Sequence, residues 1–536
     1  MLHARWLGRV RYADADALQR ALFAARDQWL LLLEHPHVYT LGVRADLSHV
    51  LVPPADVGAE LTRADRGGDV TYHGPGQLVG YPILDVPTGP RSRPNYVHSI
   101  EQLVIDVLAD LGLPGATRLD EYPGVWVEDR KICAIGVRVT RGRSMHGFAL
   151  NVDPDLSMFG HIVPCGIADK AVTSLQAEGL DVSMKEVVDA VVARAAERWG
   201  EVERQDVAWR VAPEDLSSFT RTGGTAVRLL GRLAEAGVSG GLAVEERKPE
   251  WLRVKASMGS EFRDLKKRMR SLDLVTVCEE AGCPNIFECW ADGTATFMIN
   301  GERCTRACGF CLVDTRKPEA LEADEPERVA QAVVDMQLAH AVVTAVARDD
   351  LDDGGAGAFA DTIEAIHRRS PGTAVEVLIS DCKGDPEALQ RIFDARPEIL
   401  NHNLETVARL QRAVRPSASY ARSLAVLARA KAAGLVTKSG IILGMGETED
   451  EVLAALADLR GVGVDIVTVG QYLRPTGHHL PVARWWTPDE FERLRLAGTA
   501  MGFAHVEASP LTRSSYHAKQ AASSATEQGE RRFVGA

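Results

Sequence analysis

The sequence predicts an α/β protein of two domains, the second a partial (βα)6 TIM-like barrel. Three observations predict it. Short apolar runs alternate with amphipathic, helix-length stretches in both halves of the chain. A Gly-rich stretch, from TRTGGTAV to AGVSGGLAV, interrupts that alternation. Six of the nine cysteines fall between residues 278 and 311. The expected organisation is a first domain over 1–211, a linker of mixed stiffness over 212–246 and a second domain over 247–536.

Composition narrows the function classes. A chain of 536 residues, 46% of them hydrophobic, is enough for several ordinary cores. No apolar run approaches the ~18 residues of a membrane span, so no membrane partner is expected. A net charge of −13 argues against a general nucleic-acid partner. The opening MLHARWLGRVRYADADALQR carries early acidic residues and no long apolar core, so the expected location is cytoplasmic. Nine cysteines are too few for a disulfide scaffold, and in a reducing compartment their clustering reads as metal or redox chemistry.

In the first half, 29–34, 124–128 and 131–140 are strand candidates, the last two joined as a hairpin at Asp129-Arg130. Residues 95–112 place Val97, Ile100, Val104, Val107 and Leu111 at helical spacing. Ser183 and Glu186 form a capping box for a helix running to Trp199. In the second half, strands are expected at 295–300, 341–347, 374–380, 398–405, 439–444 and 465–473. Helices are expected at 325–338, 358–368, 386–394, 420–433, 449–460 and 488–500. That order implies parallel pairing with right-handed crossovers.

Cys304, Cys308 and Cys311 form a C-x3-C-x2-C triplet directly after the first barrel strand. Three thiolates from one tight loop hold three irons of a 4Fe–4S cubane and leave the fourth without a protein ligand. A structural zinc site is the plain alternative, but zinc prefers four closed ligands, typically in two pairs. Cys278, Cys283 and Cys289 form a second triplet, weak alone, which beside the first suggests an auxiliary cluster. Cys382 reads as a small buried hydrophobe. Asp353-Gly354-Gly355 reads equally as a ligand-approaching turn and as an ordinary Gly-rich one. Residues 444–447 are candidates for a nucleoside contact, and no Walker-type G-x4-G-K-[ST] occurs.

The cysteine spacing resembles the radical S-adenosylmethionine superfamily, and the two triplets in this order resemble lipoyl synthase. The likeness spans about 290 residues, including RKPEWLRVK (247–255), ATFMINGERCTRACGFC (295–311), VVTAVARDDLDDGGA (342–356), KSGIILGMGETEDE (438–451) and RSSYHA (513–518). It implies that Cys304, Cys308 and Cys311 hold the cluster that cleaves S-adenosylmethionine. It implies an auxiliary cluster on Cys278, Cys283 and Cys289, with Ser515 as fourth ligand and Ser514 as the alternative. Asp353, Gly354 and Gly355 would approach the methionyl amine. The implied cofactors are two 4Fe–4S clusters and S-adenosylmethionine, with an electron donor such as ferredoxin or flavodoxin. The implied reaction inserts two sulfurs at C6 and C8 of a protein-bound octanoyl chain.

The first half carries Arg66-Gly67-Gly68-Asp69-Val70-Thr71-Tyr72-His73, then Lys131 and Cys165. Glycines let backbone come close to a narrow ligand. His73 reads as a hydrogen-bond donor at an acyl carbonyl or as a structural turn histidine. Lys131 beside Cys165 would make an activated thiol, since a nearby ammonium lowers a thiol pKa; each alone is a bland residue. RGGDVTYHGPGQLVGYPILD, GVWVEDRKICAIGVRVTRG and HGFALNVDPDLSMFGHIVPCG resemble octanoyltransferase over about 200 residues, a family sharing its fold with biotin and lipoate protein ligases. The resemblance implies that Cys165 forms the acyl-thioester and Lys131 shuttles protons. Residues 66–73, Ala134, Ile135, Gly136, Gly147, Phe148 and Ala149 would line the acyl site. The implied partners are octanoyl-acyl carrier protein and the lipoyl domains of 2-oxoacid dehydrogenase E2 subunits and glycine cleavage H protein. Arg91, Arg93, Arg138, Arg141 and Arg143 are the candidate basic face for the acidic carrier.

The two halves then explain each other: the first attaches octanoate to a lysine and the second inserts sulfur into that chain. Two alternatives remain from the sequence. One is an ATP-dependent lipoate or biotin ligase in the first half; the other is a non-catalytic iron–sulfur carrier in the second.

Overall fold

The computed structural model describes residues 1–119, 122–164, 170–209, 225–238, 240–243, 246–253, 275–276, 294–516, 518 and 520. The chain divides into two compact units, Met1–Trp209 and Arg210–Ala536.

The first unit runs β1 (Leu2–Arg9), α1 (Tyr12–Ala24), β2 (Gln28–Glu34), β3 (Val38–Leu41), β4 (Glu60–Arg63), β5 (Val70–His73), β6 (Gln77–Ile83), α2 (Ser92–Asp110), β7 (Ala116–Leu119), β8 (Tyr122–Val127), β9 (Arg130–Thr140), β10 (Arg143–Asn151), β11 (Ala171–Val172), α3 (Met184–Trp199) and β12 (Val202–Asp206). Its large sheet has the order β12-β1-β2-β6-β10-β9-β8-β7, with β11 added to β9. A small sheet, β4-β3-β5, stands apart. The apolar spacing seen in the sequence puts Ile100, Val104 and Val107 of α2 and Val187, Val188 and Val191 of α3 into one core against the large sheet. The capping box forms as expected: Ser183 Oγ accepts the Glu186 N–H at 3.3 Å, and the Glu186 carboxylate accepts the Ser183 N–H at 2.7 Å. The hairpin at Asp129-Arg130 also forms, β8 pairing antiparallel with β9.

The second unit runs α4 (Thr225–Glu235), β13 (Val275–Thr276), β14 (Thr294–Ile299), α5 (Glu325–Asp335), β15 (His340–Ala345), α6 (Ala356–Arg369), β16 (Ala374–Leu378), α7 (Pro386–Asp394), β17 (Ile399–Asn401), α8 (Gln411–Val414), α9 (Tyr420–Ala432), β18 (Val436–Leu443), α10 (Glu449–Gly461), β19 (Ile466–Gln471), α11 (Pro488–Met501) and β20 (His505–Ala508). The strands lie in sequence order from β13 to β20. All pairs are parallel except β13 with β14. All six expected strands are present, with two short ones added at the ends. The stretch expected as a strand over 398–405 is regular only over Ile399–Asn401, and it ends in Glu405, in the left-handed region at φ 69°. Its backbone stays tied to β18 through His402 N–H to Lys438 C=O at 3.0 Å.

Buried polar ties hold the elements of this unit to one another. Lys438 of β18 and Glu376 of β16 are wholly buried and paired at 2.9 Å, with Asn401 of the intervening β17 donating to the same carboxylate at 3.1 Å. Helix α4 lies within the stretch read as linker, yet Leu233 is buried, and the Ala236 carbonyl accepts a hydrogen bond from Arg409. Arg409 also pairs with Glu451 at 2.6 Å, and Leu242 N–H reaches Val482 C=O at 2.7 Å.

Candidate functional site

A cavity open to solvent lies in the first unit, walled by β5, β6, β9 and β10. Of the expected acyl-site residues, Arg66, Gly67, Gly68, Thr71, His73, Ala134, Ile135, Gly136, Gly147, Phe148 and Ala149 line it. Asp69, Val70 and Tyr72 do not. Strand β5 alternates: Thr71 and His73 face the cavity, while Val70 and Tyr72 enter the small-sheet core beside Tyr39 and Phe159. Asp69 is spent on its neighbour and on the loop after β3, accepting from Val70 N–H at 2.7 Å and Asp46 N–H at 3.1 Å and facing His49 Nδ1 at 2.5 Å. Gly147 is required sterically, since a Cβ there would sit 2.1 Å from the Gly80 oxygen.

Arg66 is pinned at the cavity: Nε and Nη2 donate to Thr40 Oγ1 at 3.1 and 2.7 Å, and Nη1 donates to Gly67 C=O at 3.0 Å. His73 does not stand open as a donor to an acyl carbonyl. Its Nδ1 lies 2.8 Å from Gln77 Oε1 and its Nε2 lies 3.4 Å from Thr40 Oγ1, so both ring nitrogens have protein partners. Burial pushes the His73 pKa well below its ordinary value, and His35 and Arg66 push the same way. His146, also lining the cavity, faces Asp65 at 2.6 Å.

Lys131 is buried on β9, with its ammonium 4.6 Å from the centre of the Trp126 ring. Cys133, two residues on, is buried, and burial pushes its thiol pKa far up, which marks it as structural. Cys165 lies outside the described residues. On its two sides, Val163 N–H bonds His49 C=O at 2.8 Å, and Val172 pairs with Lys131. The expected basic face is corrected at Arg143, which is buried and paired with Asp85 at 2.9 Å, while Arg138 stays half-exposed with its charge paired to Asp65. Arg91, Arg93 and Arg141 are exposed.

In the second unit, Cys304, Cys308 and Cys311 are free thiols on the loop beyond β14. Cys304 Sγ accepts N–H groups from Ala347 at 3.3 Å and Arg306 at 3.4 Å. Burial raises the Cys308 thiol pKa and carries that of Cys311 to about 12, with the neighbouring cysteines adding to both. Three close thiols from one loop, with N–H groups aimed at a sulfur, fit an iron–sulfur cluster. Among the described residues, no three His, Cys, Asp or Glu side chains close on a single metal ion.

The loop is held from afar. Arg306 binds Asp349 through two 2.7 Å hydrogen bonds and reaches buried Asp381 at 2.5 Å. Gly309 N–H bonds Val414 C=O, and Leu480 N–H bonds Gly309 C=O, both at 2.9 Å. His479 Nε2 lies 2.9 Å from the Cys311 carbonyl and donates to it.

Other predicted positions are less open. Both Asp353 oxygens accept backbone N–H groups, from Gly355 at 2.9 Å and Gly357 at 2.7 Å, opening α6. A Cβ on Gly355 would meet Asn300 Nδ2 at 2.5 Å, one on Gly354 would meet the Cys382 Cα at 3.0 Å, and both residues have positive φ (87° and 63°), so local backbone and packing favour glycine at both without any ligand. Glu447 accepts from the Met445 N–H at 3.0 Å and the Trp486 indole at 2.9 Å. Ser514 and Ser515 are half-buried in the turn after β20. Cys278, Cys283 and Cys289 lie outside the described residues.

The family model of the lipoyl protein ligase A/B catalytic domain matches residues 11–196. Those of the N-terminal domain of lipoyl synthase and of the radical SAM superfamily match 238–283 and 298–459. The lipoyl synthase of Kineococcus radiotolerans is 56% identical over 273 residues, 51% of this chain and 82% of its own length. That of Rubrobacter xylanophilus is 55% identical over 291 residues, 54% of this chain and 89% of its own. The chain belongs to the lipoyl synthase family. A solved bi-partite lipoate protein ligase of Thermoplasma acidophilum, with its E2 lipoyl domain, aligns with 40% of this chain and 90% of its own at 18% identity, TM-score 0.33.

Membership makes the C-terminal half a sulfur-inserting enzyme that uses a 4Fe–4S cluster and S-adenosylmethionine, joined to a transferase-type lipoyl ligase A/B domain. No described helix is long and apolar enough to cross a membrane. Sequence reasoning missed Tyr12, Val79, Tyr81 and His146 in the ligase-type cavity. Val79 and Tyr81 were findable, because they alternate on β6. In the lipoyl synthase half it missed Arg306, which stands between two expected cluster ligands.

Proposed function

We propose that the chain is a bifunctional protein lipoylation enzyme. The ligase-type half moves octanoyl from octanoyl-acyl carrier protein to a lysine of a lipoyl domain, and the lipoyl synthase half inserts sulfur at C6 and C8 of that chain. One observation carries the reading. A lipoyl synthase carries, in the same chain, a ligase-type cavity lined by eleven of the fourteen expected acyl-site residues, with the expected catalytic lysine buried on β9, a strand of that cavity's wall.

In the first half, the Cys165 thiolate attacks the octanoyl thioester and the carrier thiol leaves with a proton. The acceptor lysine amine then attacks the enzyme thioester and Cys165 leaves as thiolate. Lys131 is the residue that holds and returns the proton, and its ammonium charge favours the thiolate. The octanoyl chain would lie in the cavity, against the face that the paired strands β9 and β10 turn to it.

In the second half, the bound clusters and S-adenosylmethionine supply electron transfer, hydrogen abstraction and two sulfur atoms. Cys304, Cys308 and Cys311 would hold the first cluster; Cys278, Cys283, Cys289 and Ser515 would hold the second. Because their surroundings raise the pKa of the half-buried Cys308 and Cys311 thiols, loading would release protons. Arg306 holds the loop in register with β15 and β16. The acceptors are lipoyl domains of 2-oxoacid dehydrogenases and glycine cleavage H protein, with ferredoxin or flavodoxin as electron donor.

The test is reconstitution of the whole chain with octanoyl carrier protein, apo lipoyl domain, S-adenosylmethionine and reductant, without ATP. Mass spectrometry is expected to show octanoyl, then lipoyl, on the acceptor lysine. Transfer that requires free octanoate and ATP would make the first half a ligase. No sulfur insertion would overturn the second assignment.

A further inference from the structure

Behind the cavity runs a chain of buried amides whose proton positions are fixed by two carbonyl groups. Thr173 C=O only accepts, so the Asn151 amide 2.9 Å from it presents Nδ2 and leaves Oδ1 turned away. Tyr72 C=O also only accepts, so Gln77 presents Nε2 to it at 3.3 Å, and the same nitrogen donates to Asn151 Oδ1 at 2.9 Å. Gln77 Oε1 is then what faces His73 Nδ1 at 2.8 Å. An amide oxygen accepts, so Nδ1 carries the proton. With the ring neutral, Nε2 is a lone pair. It faces the Thr40 hydroxyl at 3.4 Å, the longest link. Thr40 Oγ1 already accepts twice from Arg66, so its own proton is free to point at His73. Among the described residues, no polar side-chain atom of Thr40, His73, Gln77 or Asn151 is buried without a partner.

The far end of the chain is tied to the catalytic strand, for Thr173 N–H bonds the Lys131 carbonyl at 2.9 Å. One continuous network therefore runs from the backbone of Lys131 to the guanidinium of Arg66, the one arginine among the residues lining the cavity.

We propose that Gln77 and Asn151 are positioning residues for acyl transfer: they place the proton of His73 on Nδ1, and the acceptor at Nε2 orients Thr40 and so holds Arg66 at the cavity. His73 thus serves as a neutral acceptor rather than as an acid or an oxyanion donor. The inference rests on the octanoyl-transfer reading for its effect on rate, but not for the placement of the proton. The groups facing His73 are His35, whose ring lies 5.7 Å away, Arg66, Thr40, Gln77 and His146. His35 is itself neutral, its pKa lowered to about 4 by burial.

Two measurements test this on the full chain. Nitrogen-15 NMR of labelled histidine, with the His73 signal assigned from H73Q, is expected to show a neutral ring protonated at Nδ1 from pH ~6 to ~8. A ring protonated at Nε2, or doubly, overturns the proposal whatever the chain's activity. The second measurement is the pH profile of octanoyl transfer by Gln77→Glu. A carboxylate at 77 still accepts from Nδ1 but has no N–H for Asn151, and its charge favours the imidazolium. Protonated Nε2 then takes a lone pair from Thr40 that Arg66 uses. The expected result is a loss of about tenfold in kcat near pH ~6, one unit's worth of protonation, recovered by pH ~8.5, with KM for the carrier unchanged. A Gln77→Glu profile parallel to the wild type overturns the proposal. A wild-type chain that transfers no octanoyl would instead fail the functional reading, leaving the NMR result to judge the proton placement.

Discussion

The cavity of the first unit takes its walls from the faces of paired strands, whereas the three cysteines of the second sit on a loop beyond a strand end. Along β5, β6, β9 and β10 the pleat decides which side chains point inward, and each neighbour is set by register. The cysteine loop has no such lattice. Its conformation comes from Arg306 reaching Asp349 and Asp381, 43 and 75 residues away in sequence, and from backbone bonds to Val414 and Leu480. A site on strands inherits its precision from the sheet, while a site on a loop draws it from ion pairs distant in sequence.

That contrast is sharpest if the two halves fail separately. Cys308→Ala is expected to abolish sulfur insertion and leave octanoyl transfer at the wild-type rate, read by iron content and the mass of the acceptor lysine. A parallel fall in transfer would break the separation. Lys131→Met should do the reverse, lowering transfer at least ~100-fold while a pre-octanoylated acceptor is still converted. Conversion lost along with transfer would show that the two units are not independent.

Stability separates the units too. Lys438→Met strands the buried Glu376 carboxylate and is expected to cost about 3–5 kcal/mol in the second unit alone, measured by denaturant titration. Burial alone would raise the Glu376 pKa, but Lys438 and His340 hold it down at about 2. A lowered folded pKa contributes stability above the unfolded value, near ~4.3, that is lost as pH falls toward the folded one. Melts of the wild type should therefore weaken between those limits, and the variant should weaken at higher pH. The smallest effect compares like with like. Ser183→Ala and Thr487→Ala each remove a capping box, and each should cost about 1 kcal/mol in its own unit only.

Much of both folds is legible in the sequence because periodicity is local. The six barrel strands, the helices between them and the Ser183 capping box all come from spacing between near neighbours. The cavity is legible where glycines cluster, and less so where strand alternation decides: sequence proximity puts Val70 and Tyr72 among the lining residues and passes over Tyr81. His73 reads as a donor because nothing near it in sequence announces Asn151. Arg143 reads as surface charge, though folding turns it into the unit against Asp85 and the Leu22 carbonyl. In each case the hidden element is a partnership between residues far apart in the chain.

The seating of α4 has a practical corollary for anyone who wishes to express the second enzyme by itself. Leu233 lies buried, and Leu229 comes within reach of Gly309, between two of the cysteines expected to bind iron. A truncation begun at residue 230 would discard Leu229 and fray the turn that carries Leu233. Beginning the recombinant fragment ahead of Thr225 keeps that hydrophobic plug with the part it covers.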